Sequence, residues 1–221
     1  MTENAIWKNV DQYFMEKLIP QDNELADVLI ANKTAGLPAI DVSPAQGKFL
    51  YLLTKLKGAQ NVLEIGTLGG YSAIWFAKAL PEDGKVYTLE AEPSHAEIAE
   101  KNISHAGYGH KVEVIVGSAL DTLPSLQEVA PFDVIFIDAD KPNNPHYLKW
   151  ALALSKTDTV IIADNVVRNG EVTNQTSKDA SVQGVRAFMD ILEQEKRIEA
   201  TAVQTVGTKG YDGFVIGIMS K

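Results

Sequence analysis

Two aspartates close apolar runs that read as buried strands. Asp138 follows Val134-Ile135-Phe136-Ile137, and Asp164 follows Val160-Ile161-Ile162-Ala163. If those strands are neighbours they lie about 4.8 Å apart. Both carboxylates then face one crevice at the carboxyl edge of a sheet, where ligands bind in open α/β folds. Asn165 adds an amide oxygen beside Asp164. Two carboxylates and an amide form a hard, all-oxygen donor set that suits Mg²⁺ and leaves positions for water and substrate oxygens. Strands often end in aspartate because it caps the next turn, so either residue alone says little. The pair, with Asn165 and Lys141 at hand, says more. Asp138-Ala139-Asp140 also matches the metal-binding Asp-x-Asp of glycosyltransferases, a short string that leaves the glycine turn unexplained.

That turn is the second constellation. Val62-Leu63-Glu64-Ile65 runs into Gly66-Thr67-Leu68-Gly69-Gly70, and a helical pattern begins at Tyr71-Ser72. Glycine lets the backbone take positive φ and lets a ligand approach with no Cβ in the way. Glu90 ends the following apolar run, about 20 residues on, where a carboxylate can hold the two hydroxyls of a ribose. The spacing is not Gly-x-Gly-x-x-Gly, which seats a pyrophosphate on a helix N-terminus. Glu64 stands just before the turn, where its charge would repel a pyrophosphate and favour the ammonium of an amino-acid cofactor. The balance favours S-adenosylmethionine (SAM) over a nicotinamide dinucleotide.

Both constellations require strands that end side by side. From Asn61 onward short apolar runs, Val62–Ile65, Val86–Leu89, Val112–Val116, Val134–Ile137 and Val160–Ala163, alternate with helical patterns near Tyr71–Leu80, Ser94–Gly107, Leu120–Val129 and Pro145–Leu154. That alternation is the signature of a parallel sheet flanked by helices. Ser94 and Glu97 have capping-box spacing, and Gly107 suits the C-terminal end of that helix. After a helix at Val182–Glu195, the runs Glu199–Val206 and Gly213–Met219 flank a glycine-rich turn and read as a hairpin. Three helices precede the sheet: Ile6–Ile19, Asn23–Ala35 and one opened by Ser43-Pro44. The expectation is α/β: a doubly wound, Rossmann-like, seven-stranded sheet ending in an antiparallel hairpin. It forms one domain over 1–221, with helices in 1–60 and the core in 61–221. The polar stretch Arg168–Gln183 reads as a mobile loop and candidate lid.

Composition removes several classes. The chain has 221 residues, no cysteine and a formal net charge of −9. It therefore has no disulfide, thiolate metal site or cysteine nucleophile. Scattered lysines and arginines on an acidic chain argue against a nucleic-acid partner. No apolar run approaches the ~18–20 residues of a membrane span, and the first residues lack a secretory pattern, so a cytoplasmic location is expected. His95, His105, His110 and His146 show no ligand spacing and read as surface or structural.

Together, Leu-Glu-Ile-Gly-Thr-Leu-Gly-Gly-Tyr-Ser from Leu63, Phe-Ile-Asp-Ala-Asp-Lys from Phe136 and Ala-Asp-Asn-Val from Ala163 resemble the cation-dependent class I O-methyltransferases. This is the family of caffeoyl-CoA and catechol O-methyltransferases, and the likeness is strongest to small bacterial members acting on flavonoids and phenols. The resemblance runs from Val42 to the C-terminus. It implies that Asp138, Asp164 and Asn165 ligate a divalent cation (Mg²⁺ first, Mn²⁺ or Ca²⁺ as alternatives) and that Lys141 is the catalytic base, with Asp138 beside it. It implies that Val42, Glu64, Gly66, Ser72, Glu90 and Ala119 line the cofactor site, with Asp138 near the methionine portion. It further implies a small phenolic, catechol-like acceptor, no membrane partner and a homodimer, for which the apolar first helix could serve. Two rivals remain: a nicotinamide-dependent oxidoreductase on the same fold, and a non-catalytic SAM-binding protein that would not need Asp164, Asn165 and Lys141.

Overall fold

A computed structural model describes residues 2–220. The elements run α1 (Glu3–Leu18), α2 (Asn23–Thr34), α3 (Pro44–Lys57), β1 (Asn61–Ile65), α4 (Tyr71–Ala79), β2 (Lys85–Glu90), α5 (Pro93–His105), β3 (Val112–Val116), α6 (Ala119–Thr122), β4 (Phe132–Ile137), α7 (Asn144–Ala153), β5 (Ser155–Asp164), α8 (Ala180–Gln194), β6 (Ile198–Gly207) and β7 (Gly210–Met219). One seven-stranded sheet has the order β3-β2-β1-β4-β5-β7-β6. β1 to β5 are parallel, and β7 is antiparallel to both β5 and β6. The expected architecture is the observed one.

Apart from the edge strand β3, the parallel strands are covered on both faces toward their carboxyl ends, so their side chains alternate between two cores. Val62, Val86, Val134, Phe136 and Ile162 pack under α2 to α5 with Leu50, Ile74 and Phe76. Leu63, Ile65, Ile135, Ile137 and Ile161 pack against α6 to α8 with Leu123, Leu148 and Phe188. The strand order reverses at β1, which pairs β2 on one side and β4 on the other. Such a switch point opens a crevice beyond the carboxyl ends of the strands.

Local rules account for most element ends. Ser43 accepts from Gln46 N at 3.2 Å, Pro44 fills the first turn of α3, and Gly58 closes it at φ 64°. Four expectations need correction. The Ser94–Glu97 capping box is absent: α5 starts at Pro93, Glu92 caps it through Ser94 N, and Glu97 instead pairs with Lys101. Pro93 at the first turn already fixes the start, so Ser94 lies two positions past the cap. The Leu120–Val129 helix is a single α turn, α6, continued as a 3-10 segment over Leu123–Glu128. Arg168–Gln183 is not one loop. Arg168–Thr173 forms a short 3-10 segment, Arg186 Nη1 donates to Val172 O at 2.7 Å, and Asp179 caps α8 through Ser181 N and Val182 N. The hairpin turn is tighter than expected: Gly207 pairs with Gly210, so Tyr211 and Asp212 lie inside β7. Among the described residues no helix is long and apolar enough to cross a membrane.

α8 bears on the site through a glycine. A Cβ on Gly184 would stand 2.1 Å from Lys141 O and 2.7 Å from Pro142 Cα, both backbone atoms. Gly184→Ala gains about 1 kcal/mol of helix propensity, but overpacking against backbone costs about 1–3 kcal/mol. The variant is expected to be less stable in urea unfolding and to lose activity because the Lys141 segment is displaced. Unchanged stability would mean that the two backbones separate freely.

Candidate active site

β1 and β4 deliver the first two site residues together. Asp138 N donates to Ile65 O at 2.9 Å, and Gly66 N donates to Leu89 O at 3.0 Å, so the strand ends stay laced past the sheet. Gly66 has φ 106°, and a Cβ there would meet Asp138 O at 2.5 Å. Glycine is required at this point both by conformation and by space.

Beyond these strand ends lies a cavity of about 470 Å³. Val42, Gly66, Ser72, Glu90, Ala119 and Asp138 all line it, as do Lys141 and Asn165. Asp164 faces a second cavity of about 300 Å³ between α3 and the hairpin, whose wall also includes Asn165. Asn165 is thus common to both walls. Glu64 is not in either wall. It lies on the same strand face as Val62 and is fully buried beneath the turn.

Glu64 sits in a hydroxyl relay. Thr88 Oγ1 donates to Glu64 Oε2 at 2.6 Å, which leaves Thr67 Oγ1 as donor to Thr88 at 2.6 Å. Oε1 has no partner. Burial pushes the carboxyl up to about 8, opposed by hydroxyl contacts from Ser72 and Thr88 and reinforced by the charges of Asp138 and Glu90. Glu90 staples the turn: Oε2 accepts from Leu68 N at 2.7 Å and Oε1 from Glu92 N at 2.9 Å. A carboxylate has about four acceptor positions, so Glu90 retains capacity toward the cavity it lines. A glycine with no room for a Cβ, an unused buried acceptor and a carboxylate held at the end of β2 fit an adenosyl amino acid.

The acidic pair is held from several sides. Ile137 and Ala163 are register partners, so Asp138 and Asp164 follow on adjacent strands. Lys141 Nζ donates to Asp138 Oδ1 at 2.9 Å. Asp164 Oδ1 accepts from Asn165 N at 2.8 Å and Oδ2 from the Gln46 amide at 2.6 Å. Burial raises Asp138, with Lys141 opposing, whereas burial and then the Asp138 charge push Asp164 up to about 7. Asn165 has φ 56°, a left-handed turn that asparagine tolerates. No group of three or more His, Asp or Glu side chains able to hold a metal occurs among the described residues. The expected set needs only two carboxylates and an amide oxygen. Two crowded carboxylates, one of them costly to ionise beside the other, fit a divalent cation.

Several wall residues were not singled out from sequence. His95 lines the larger cavity with Nδ1 3.7 Å from Glu90 Oε1, although its spacing gave no sign of a site. Asp41 lines it too and is held by α2, which Asn102 in turn links to the glycine turn. Asn32 donates to Asp41 Oδ1 at 2.8 Å, while Asn102 donates to Asn32 Oδ1 at 2.8 Å and to Gly69 O at 2.9 Å. Tyr147 donates to Asp140 Oδ1 at 2.5 Å, and Gln46 braces Asp164 from α3. A hydroxyl or amide that acts across elements leaves no periodic trace in one sequence. Of these residues only Asp140 lay within a string the sequence offered, Asp138-Ala139-Asp140.

A seven-stranded doubly wound sheet with a glycine turn at its switch point and paired acids at the next strand ends defines a methyltransferase of the Rossmann-like class. A family profile described as O-methyltransferase matches residues 18–214. The catechol O-methyltransferase of Niastella koreensis is 48% identical, over 98% of this chain and 99% of its own. An O-methyltransferase from Bacillus cereus, solved in complex with SAH, is 55% identical with TM-score 0.96 over 98% of this chain and 99% of its own. TomG of Streptomyces achromogenes, an O-methyltransferase of tomaymycin synthesis solved with SAM, is 48% identical with TM-score 0.97 over 100% of both chains. The chain belongs to the O-methyltransferase family and is, with it, a SAM-dependent enzyme.

Glu64 gives a pH dependence with a definite sign. Its ordinary value is 4.5 and its folded value about 8. Across that window the folded protein binds more protons than the unfolded chain, so stability of the ligand-free protein falls as pH rises. The contribution is on the order of a few kcal/mol. Urea unfolding of Glu64→Gln across pH 4.5 to about 8 should show a flatter slope than wild type. Identical slopes would place the titration elsewhere.

Proposed function

We propose that this O-methyltransferase transfers the methyl of SAM to a hydroxyl of a small catechol-like phenol at a divalent cation, Mg²⁺ first. The observation that carries the reading is the part-buried Asp138 and buried Asp164 at adjacent strand ends, with Asn165 on the shared wall of two cavities and Lys141 on Asp138. The catechol O-methyltransferase name of the Niastella relative supports the acceptor class.

SAM brings a methyl already activated on sulfonium, so the chain must orient the acceptor and manage one proton. Its adenosyl and methionine portions would lie along Glu90, Ala119, Gly66, Ser72 and Val42, with Asp138 at the methyl end and Glu64 acting from beneath through Ser72. A divalent cation held by Asp138, Asp164 and Asn165 would stabilise the ionised form of a phenol whose pKa in water is about 10. Lys141, buried in the cavity wall, would take the hydroxyl proton. Gln46 and Asn165 N keep Asp164 oriented, and the laced ends of β1 and β4 hold the reacting groups at fixed separation. Two adjacent hydroxyls on the acceptor would fix its orientation, hence the catechol preference.

We also propose a cytoplasmic homodimer without nucleic-acid or membrane partners. The net charge of −9 supports the absence of polyanionic partners. For the dimer the support is α1, which buries none of its residues and exposes Ile6, Val10, Tyr13, Phe14 and Leu18. A stripe of that kind is rarely left in water.

Methyl transfer from labelled SAM to catechols should be abolished by EDTA and restored by Mg²⁺. Asp164→Ala should lower metal-dependent turnover by about a hundredfold or more while calorimetry still detects SAM binding. Full activity of that variant in metal-free buffer would overturn the metal assignment. Lys141→Ala should lower kcat by about 10²–10⁴-fold with a smaller change in KM. For the dimer, sedimentation equilibrium should give a two-chain mass for wild type and a one-chain mass for Tyr13→Asp/Phe14→Asp. A monomeric wild type would dismiss the helix as an interface.

A further inference from the structure

Arg168 stands in the wall of the larger cavity, three residues past Asn165, in a lining that also includes Asp138, Asp140 and Lys141. Its Nε is buried and has no hydrogen-bond partner, and among the described residues its guanidinium forms no ion pair. That is unusual for arginine, whose five donors are normally satisfied when they leave water.

The acids of this lining and of the neighbouring segments are already engaged. Asp138 accepts from Lys141, and Asp140 accepts from Tyr147 through one oxygen and from Asn143 through the other. Glu171, three residues on, accepts from Asn174 at 3.1 Å. Asp212 Oδ1 gathers three backbone N–H groups, Val167 at 3.0 Å, Arg168 at 3.1 Å and Gly213 at 2.9 Å. Those bonds also hold the backbone in a costly shape. Arg168 and Asn169 have φ 53° and 55°, in the left-handed region that non-glycine residues avoid. Asp212 therefore fixes where Arg168 leaves the chain without neutralising its guanidinium. Strain retained at a cavity wall, ending in an unpaired cation, is the pattern of a residue kept for a ligand.

We propose that Arg168 is a specificity residue that receives a carboxylate carried by the acceptor, so that the preferred acceptors are catechols bearing an acid group. This rests on the catechol reading above. A planar guanidinium matches a carboxylate with two parallel bonds. The catechol hydroxyls would point to the Asp138–Asn165–Lys141 side while the acid group meets Arg168. A neutral catechol lacks that second anchor.

The test compares 3,4-dihydroxybenzoate with its methyl ester on wild type, Arg168→Gln and Arg168→Lys, with SAM and Mg²⁺. Wild type should favour the acid in kcat/KM. Arg168→Gln should lose about tenfold or more on the acid, chiefly through KM, while staying within about twofold on the ester. Arg168→Lys should recover part of the loss. Using the ratio between variants cancels the effect of the carboxylate on the reactivity of the ring. Equal losses on both acceptors would make Arg168 a stacking or structural residue, and a raised KM for SAM would assign it to the cofactor; either overturns the proposal. If neither compound is methylated, the catechol reading fails, and calorimetric titration of both into SAH-loaded protein decides the arginine separately. Tighter binding of the acid that disappears in Arg168→Gln upholds the assignment, and no such difference overturns it.

Discussion

The site depends on how closely two strand ends approach. With no Cβ at Gly66, the turn after β1 lies against the backbone of Asp138, and the Asp138 N–H to Ile65 carbonyl bond continues the lacing of β1 and β4 beyond the sheet. This contact puts the floor of the larger cavity and the first member of the acidic pair on one rigid unit. Asp164 joins the unit because β5 runs in register with β4, and Asn165 follows in a left-handed turn. Distances between reacting groups are thus set by sheet geometry rather than by loops, which is the more exact way to hold a catalytic arrangement.

The electrostatics follow from the same compaction. Glu64, Asp138 and Asp164 are brought out of water at the ends or in the body of adjoining strands, and burial raises all three. Around them the protein supplies mostly neutral donors: Thr88, Ser72, the Gln46 amide and backbone N–H groups. Among the described residues Lys141 is the one cation in direct contact with the pair, through Asp138. Such a site resists full ionisation alone and rewards a ligand that brings positive charge, whether a sulfonium amino acid or a divalent cation. Glu90, at the end of β2, is anchored by two backbone amides, Leu68 in the turn and Glu92 beyond it.

Much of this was readable from the chain because it was local. Apolar runs of four or five residues ending in Asp138 and Asp164 gave the strands and their carboxyl edge, and the Gly66–Gly70 turn with Glu90 gave the cofactor end. Val42 and Ala119 came with the family resemblance and do line the cavity. Glu64 was the exception in placement. Alternation along β1 puts it on the Val62 face, under the turn, and that follows from period two once the strand is accepted. What sequence did not reveal was long-range: Gln46 reaching Asp164 from 118 residues away, or Asn102 holding Gly69 from α5. The Ser94–Glu97 pattern misled because Pro93 had already fixed the helix start. Arg168–Gln183 misled because hydrogen bonds to Asp212 and from Arg186 order a stretch whose composition is polar.

One contact links the outer surface to this interior. Asp11, on the helix that buries nothing, accepts from Thr208 N at 2.7 Å in the two-residue turn of the terminal hairpin, and both residues belong to the wall of the second cavity. A Cβ on Gly207 would meet Asp11 Oδ2 at 2.2 Å, so the two segments are in close contact. Asp164 lines the same cavity. A first helix that buries none of its residues is thus bonded to the hairpin tip on a wall that one of the paired acids shares.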